Sequence, residues 1–171
     1  VKTRFSQAID VVANVTTIVV LLFFAVFVVQ KEFISKNRAR KDVETGATMP
    51  AISGVQYGTA EKTVLVAATS SCRFCLASMP FYRRLFDHVV TRGRLQFMFI
   101  RPANDEMFGR IISQNGLSSA PQAKADFEVL RVSRTPTIIV VDRAGRIDRI
   151  WTGKLDEGDE GKEGQVLKYL L

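Results

Sequence analysis

Apolar positions along this chain fall into three regimes. Residues 11–29 read VVANVTTIVVLLFFAVFVV, with no charged side chain and only Asn14, Thr16 and Thr17 strongly polar. Residues 31–48 are polar, basic and without strong periodicity, and read as a helical extension or stalk with a linker around Gly46. From Met49 onward the apolar residues come in short runs separated by turn signals, as expected for a folded domain over residues 49–171.

Within that domain, TVLVAA at 63–68 is a short, β-branched apolar run that predicts a buried strand. Residues 75–90 predict a helix, with Phe81, Leu85 and Val89 four apart and Pro80 placed to kink it. LQFMFI at 95–100 predicts a second buried strand. Residues 104–115 read as a helix capped by Asn104, with Gly116 just past its end. Pro121 suits the first turn of another helix, ending near Leu130. TIIVV at 137–141 and the run 146–151 predict two strands joined through DRAG as an antiparallel hairpin. Residues 163–171 predict a short closing helix carrying Val166, Leu167 and Leu170. The order β, α, β, α, α, β, β, α places the chain in the α/β class, with a mixed sheet covered by helices on both faces.

Length and composition fit this division. With 171 residues and 47% hydrophobic side chains the chain holds one domain with a sizeable core plus a small extra element. The formal net charge of +7 raises nucleic acid or anionic lipid as partners. The basic residues are interleaved with acids, as in RRLFDH and DRAGRIDR, which is the pattern of a solvated surface, so no nucleic-acid partner is expected. The run at 11–29 does change the picture. At about 1.5 Å per helical residue it covers roughly 28 Å, close to one bilayer core. A buried globular helix rarely runs so long without a polar face, and QKEF after the run offers no small-x-small cleavage pattern. An uncleaved single-span anchor over residues 1–30 is the expectation, followed by a basic stalk over 31–48. Lys2 and Arg4 precede the span, whereas Lys31, Lys36, Arg38, Arg40 and Lys41 follow it. Counted naively, these charges put the C-terminal domain in the cytoplasm.

The chemistry concentrates in SSCRFCLASMP, which holds both cysteines of the chain, Cys72 and Cys75. A structural zinc site needs four ligands, and the chain adds a single histidine, His88, in the same predicted helix, so no metal is expected. A permanent disulfide between them closes a loop too small to constrain the unfolded chain much. Reversible chemistry fits the position better. Cys72 follows a buried strand and opens a helix, where unpaired backbone N–H groups and the helix dipole stabilise a thiolate, and Arg73 adds a positive charge. Cys75 lies one turn further in, within bonding reach and more buried. This suits attack by Cys72 on a partner disulfide and resolution by Cys75.

RTPT at 134–137 leads directly into the TIIVV strand, a position that proline tolerates. With the Cys-x-x-Cys at a strand-to-helix junction, this sequence resembles the thioredoxin superfamily, and more closely its membrane-anchored TlpA- and ResA-like redoxins, over roughly residues 46–171. The matching pieces are GATMP, TVLVAATSSCRFC, Pro80, the long segment between strands, and RTPTIIVVDRAGRI. The resemblance implies a thioredoxin-like fold behind a single transmembrane helix. It implies an extracytoplasmic thiol–disulfide oxidoreductase with Cys72 as nucleophile, Cys75 as resolving cysteine and Pro136 as the cis-proline facing them. Arg73, Phe74 and Thr135 are the substrate-contacting candidates. No cofactor is expected, and the implied partners are a cysteine-containing protein substrate and a membrane or extracytoplasmic redox partner.

The chain departs from the family pattern at Ser71, where tryptophan is usual, at Arg73 and Phe74, where Glu-Pro is common, and at Ser78, where many members carry an acid. A tethered binding or assembly protein that kept the fold is one rival reading. A peroxiredoxin-like peroxidase is another: Thr69 lies three before Cys72 as that motif requires, but Leu65 occupies the position of its proline.

Overall fold

The computed structural model describes residues 17–24, 26–27, 42–155, 158 and 160–171. The chain divides into two units, Val1–Arg40 and Lys41–Leu171. In the first, residues 17–24 and 26–27 are helical, and their apolar side chains from Ile18 to Phe27 are exposed. The rest of the expected anchor, and residues 31–41 of the expected stalk, lie outside the described residues. Among the described residues no helix is long and apolar enough to cross a membrane.

The second unit is built on five strands: β1 (Lys62–Ala67), β2 (Leu95–Arg101), β3 (Gln122–Lys124), β4 (Thr137–Asp142) and β5 (Ile147–Thr152), in the spatial order β3-β2-β1-β4-β5. β1 runs parallel to β2 and antiparallel to β4, so the sheet is mixed, as the sequence predicts. Four helices accompany it: α1 (Arg73–Ala77), α2 (Met79–Arg92), α3 (Glu106–Gln114) and α4 (Lys162–Tyr169). The predicted helix over 75–90 is two helices, divided at Ser78 just before Pro80. The hydrogen-bond ladder nevertheless passes through the division, from the Ser78 amide to Phe74 O (3.1 Å) and from the Tyr82 amide to Ser78 O (3.0 Å). Gly93 closes α2 in the left-handed conformation, at φ 66°.

Alternation along the strands sends Val64, Val66, Phe97, Phe99, Ile138 and Val140 into one core cluster and Leu65, Ala67, Met98, Ile100, Ile139 and Val141 into another. The first cluster receives side chains from all four helices, among them Cys75, Tyr82, Leu85, Phe108, Ile112 and Val166. Tyr82 is fully buried there, with its ring edge-on to Phe99 at 5.6 Å. The second cluster is covered by Met49, Ile52, Leu130 and Val132, which lie outside any helix. Among the described residues the α-helices therefore cover one face, not both, and of helical elements the other receives only the short 3-10 helix Tyr57–Thr59, through Tyr57.

The helix expected from Pro121 to Leu130 is the missing cover. Gln122–Lys124 instead pairs in parallel with Phe99–Arg101, and Pro121 contributes its carbonyl to the Phe99 amide at 2.9 Å. The next residues form a tight turn. Asp126 Oδ1 accepts the Glu128 amide at 2.8 Å, a local bond that competes with helix formation, and Arg131 closes the turn at φ 57°.

Residues 43–48, assigned from sequence to the linker, are also part of the domain. The Gly46 amide donates to Ile147 O at 2.7 Å, the Ile147 amide returns to Ala47 O at 2.8 Å, and Thr48 bridges Arg146.

The cap of α3 is Asp105, not Asn104. Its Oδ1 accepts the Phe108 amide (3.1 Å) and the Ser70 hydroxyl (2.6 Å), while Oδ2 accepts the Ser70 amide (2.7 Å). Beside it the buried Arg101 donates to Asp105 O (3.1 Å) and Glu106 Oε2 (3.0 Å), and Glu106 also pairs with Lys124 at 2.7 Å, tying α3 to β3. Burial works against the Asp105 charge, but the bonds from Ser70 and Phe108 outweigh it and hold the carboxyl below its usual range. A carboxyl lowered in the fold stabilises it above the unfolded value, about pH 3.9, and that contribution disappears as pH falls through the lower folded value. Asp105→Ala should therefore destabilise the domain by about 2 kcal/mol at neutral pH. In urea unfolding at pH 7 and pH 3, the gap between the variant and the native chain should be full at the first pH and smaller at the second.

Candidate active site

The register of the central strands assembles the site. Ala67, the last residue of β1, pairs with Thr137, the first of β4. The segment leaving β1 and the segment entering β4 must then lie side by side, and these are the cysteine loop and RTPT. The Thr135–Pro136 peptide bond is cis, the isomer the resemblance implied. Thr137 Oγ1 donates to Arg134 O (2.7 Å) and Pro136 O accepts the Gly153 amide (2.8 Å), fixing the loop to its own strand and to the end of β5.

Cys72 is the N-cap of α1. Its Sγ accepts the Cys75 amide at 3.2 Å and its thiol donates to Thr135 O at 3.2 Å. A cap residue needs a side-chain acceptor for a free amide at the start of the helix, and here a sulfur supplies it. Both cysteines are free thiols, Cys72 partly exposed and Cys75 fully buried. Burial pushes the Cys72 thiol up, but hydrogen bonds with the side chains of Cys75 and Thr135, and from the amides of Cys75 and Phe74, more than offset this and leave it below the ordinary value. For Cys75 the bonds from the Thr69 backbone and the Thr135 side chain lower it too little to offset its burial. Burial, and then the hydrogen bond with Cys72, push it up to about 12. The two sulfurs are thus separated in acidity in the sense that lets the outer one attack and keeps the inner one in reserve.

Of the substrate-contacting candidates, Arg73 is exposed, with its guanidinium over the half-buried Phe74 ring, 4.7 Å from the centroid. Thr135 is half-buried with its carbonyl on Cys72, and Pro136 is buried. All six residues singled out from sequence lie in these two adjoining segments. Sequence reasoning did not identify Asp105, which holds Ser70 two residues before Cys72 and so anchors the loop entering the site. The only signal was a second capping residue beside Asn104. Leu65, at the position of the peroxidase proline, is fully buried in β1, and the Thr69 hydroxyl pairs with that of Ser71 at 3.3 Å. Among the described residues, no group of three or more His, Cys, Asp or Glu side chains is placed to hold a metal ion.

No family model matches the chain. No curated protein matches it either. Solved structures do. The thioredoxin domain of a thiol-disulfide oxidoreductase from Bacteroides vulgatus superposes with a TM-score of 0.60 at 16% identity, covering 76% of this chain and 100% of that one. StoA from Bacillus subtilis gives 0.55 at 17% identity, over 73% of this chain and 96% of its own. A thiol-disulfide isomerase from Corynebacterium glutamicum gives 0.54 at 20%, over 76% and 92%. The fold is thioredoxin-like. In this thioredoxin-like domain the Cys72–Cys75 segment occupies the junction between the central strand and the first helix, against the loop that carries Pro136.

The inequality of the two thiols is directly measurable. Alkylation of the reduced protein at graded pH, followed by peptide mass spectrometry, should give a Cys72 rate that rises below the ordinary thiol range of about 8.5. Cys75 should stay unmodified until far more alkaline pH. Equal rates, or faster labelling of Cys75, would reverse the assignment.

Proposed function

We propose that this chain is a membrane-anchored, extracytoplasmic thiol–disulfide oxidoreductase acting on cysteine-containing proteins. The observation that carries the reading is the single sulfur of Cys72, which caps α1, accepts the Cys75 amide and touches Thr135 O, while Cys75 waits fully buried behind it. In the reducing direction the Cys72 thiolate attacks one sulfur of a partner disulfide. A mixed disulfide forms and the partner's other sulfur leaves as a thiolate. Cys75 then loses its proton and attacks Cys72 Sγ, releasing the partner's second thiolate and leaving a Cys72–Cys75 disulfide. Two electrons pass from the dithiol to the partner, and the reverse sequence oxidises a partner dithiol. Arg73 and Phe74 line the approach to Cys72, and Thr135 offers backbone to an extended substrate segment.

Anchoring rests on the charge-free run at 11–29 and on the exposed apolar side chains of the helical residues within it. The extracytoplasmic side follows from the resemblance to TlpA- and ResA-like redoxins, against the naive count of basic residues after the span.

A Cys75→Ser chain should accumulate mixed disulfides on Cys72 that reducing agent releases, whereas Cys72→Ser should accumulate none. Non-reducing electrophoresis with mass spectrometry of the adducts reads this out. A Cys75→Ser chain that traps nothing, while the double serine variant keeps full function, would favour the assembly reading. For the location, a membrane-impermeant thiol reagent should label reduced Cys72 on intact cells. Labelling only after lysis would place the domain in the cytoplasm.

A further inference from the structure

One buried polar atom in the core cluster that holds Cys75 lacks a hydrogen-bond partner of good geometry. Among the described residues, nothing meets hydrogen-bond geometry with the Tyr82 hydroxyl, although it has no access to water. A buried hydroxyl without a partner is unfavourable by about 1–3 kcal/mol. Tyr82 shares its core cluster with Cys75 and lies seven residues further along the same helical stripe, with Ser78 between them. Helical side chains lean towards the N-terminus, so the Tyr82 ring projects back towards Cys75.

We propose that Tyr82 is a positioning residue for the resolving step, its hydroxyl donating a hydrogen bond to Cys75 Sγ when that sulfur becomes a thiolate. This rests on the thiol-exchange reading and names how the buried sulfur is helped to ionise. Ser78 lies between Cys75 and Tyr82, but its hydroxyl is already engaged, donating to Phe74 O at 2.8 Å. Burial pushes the Tyr82 phenol well above its ordinary value, and charge on Cys75 and Cys72 pushes it further. A weak side-chain interaction with the Ser78 hydroxyl, short of full hydrogen-bond geometry, works the other way but does not offset them, so Tyr82 stays protonated and is placed to act as a donor. The other titratable group facing it is Glu163 of α4, whose carboxylate is held by Arg84 at 2.6 Å. β1, β2 and β4 present apolar side chains on this face, among them Val66, Phe99 and Ile138. The proton of Cys75 leaves to solvent, the Cys75 thiolate displaces the sulfur bound to Cys72, and Tyr82 keeps its proton throughout.

The test uses the full chain with Cys72 carrying 5-thio-2-nitrobenzoate as a mixed disulfide. Attack by Cys75 forms the internal disulfide and releases the coloured thiolate, so resolution is read in one turnover. Tyr82→Phe should slow release roughly tenfold at neutral pH and move the pH–rate profile upward by about one unit. The alkylation rate of Cys72 should not change. Thermal stability should hold or rise, because the hydroxyl removed had no partner. A profile that coincides with the native one overturns the role of Tyr82 alone. A Tyr82→Phe chain that fails to fold overturns the premise that the hydroxyl makes no bond in the dithiol. A native chain that releases nothing overturns the thiol-exchange reading beneath both.

Discussion

The rest of the domain depends on the antiparallel pairing of β1 with β4. β1 is the central strand, buried on both faces, and it cannot slip by one residue without exchanging the side chains of its two cores. That constraint fixes Ala67 opposite Thr137, and through it the distance from Cys72 to Thr135. A reactive sulfur on a loop is precise only when the elements on either side of the loop are rigid. Here one side is the sheet and the other is α1, whose Cys75 amide is satisfied by the sulfur itself. Asp105 adds a third constraint by gripping Ser70 from the start of α3.

The two thiols are the same group in two dielectric environments. Both suffer from burial, but only the outer one receives enough hydrogen bonds to offset it. By sequence Arg73 is expected to share in stabilising the thiolate. Its guanidinium lies over the Phe74 ring, and the largest lowering influences on Cys72 are its hydrogen bonds with the Cys75 and Thr135 side chains and from the amides at the helix start. These bonds are set by the positions of α1 and of the Thr135 loop, which the register of β1 and β4 brings together.

How much of this was legible in the sequence varies by element. The four longer strands were visible because each is a dense apolar or alternating run, and a kink in the long helix because Pro80 has no amide to give to the preceding turn, although the division into two helices at Ser78 was not. The site was visible because the cysteines and RTPT flank two of those strands. β3 was not, because QAK is too short and too polar to carry a pattern, and Pro121 suits a helix start as well as a strand lead-in. Asn104 and Asp105 are equally good caps by residue type, and only the position of Ser70 decides between them. Tyr82 reads in the sequence as one more core aromatic. That its hydroxyl lacks a partner of good geometry among the described residues becomes evident only once the surrounding side chains are in place.

The linker-like residues that fold back onto the hairpin also bear on association between copies of the chain. β5 is an outer strand, and outer strands present unpaired amides and carbonyls that invite another chain to add to the sheet. Thr48 bridges to Arg146 and the Gly46–Ile147 exchange occupies the start of that edge. At the opposite edge β3 offers only Gln122–Lys124, with a lysine paired to Glu106. The outer edges are thus shortened at both margins, at the start of β5 and along the brief β3, which leaves less strand for another copy to add to.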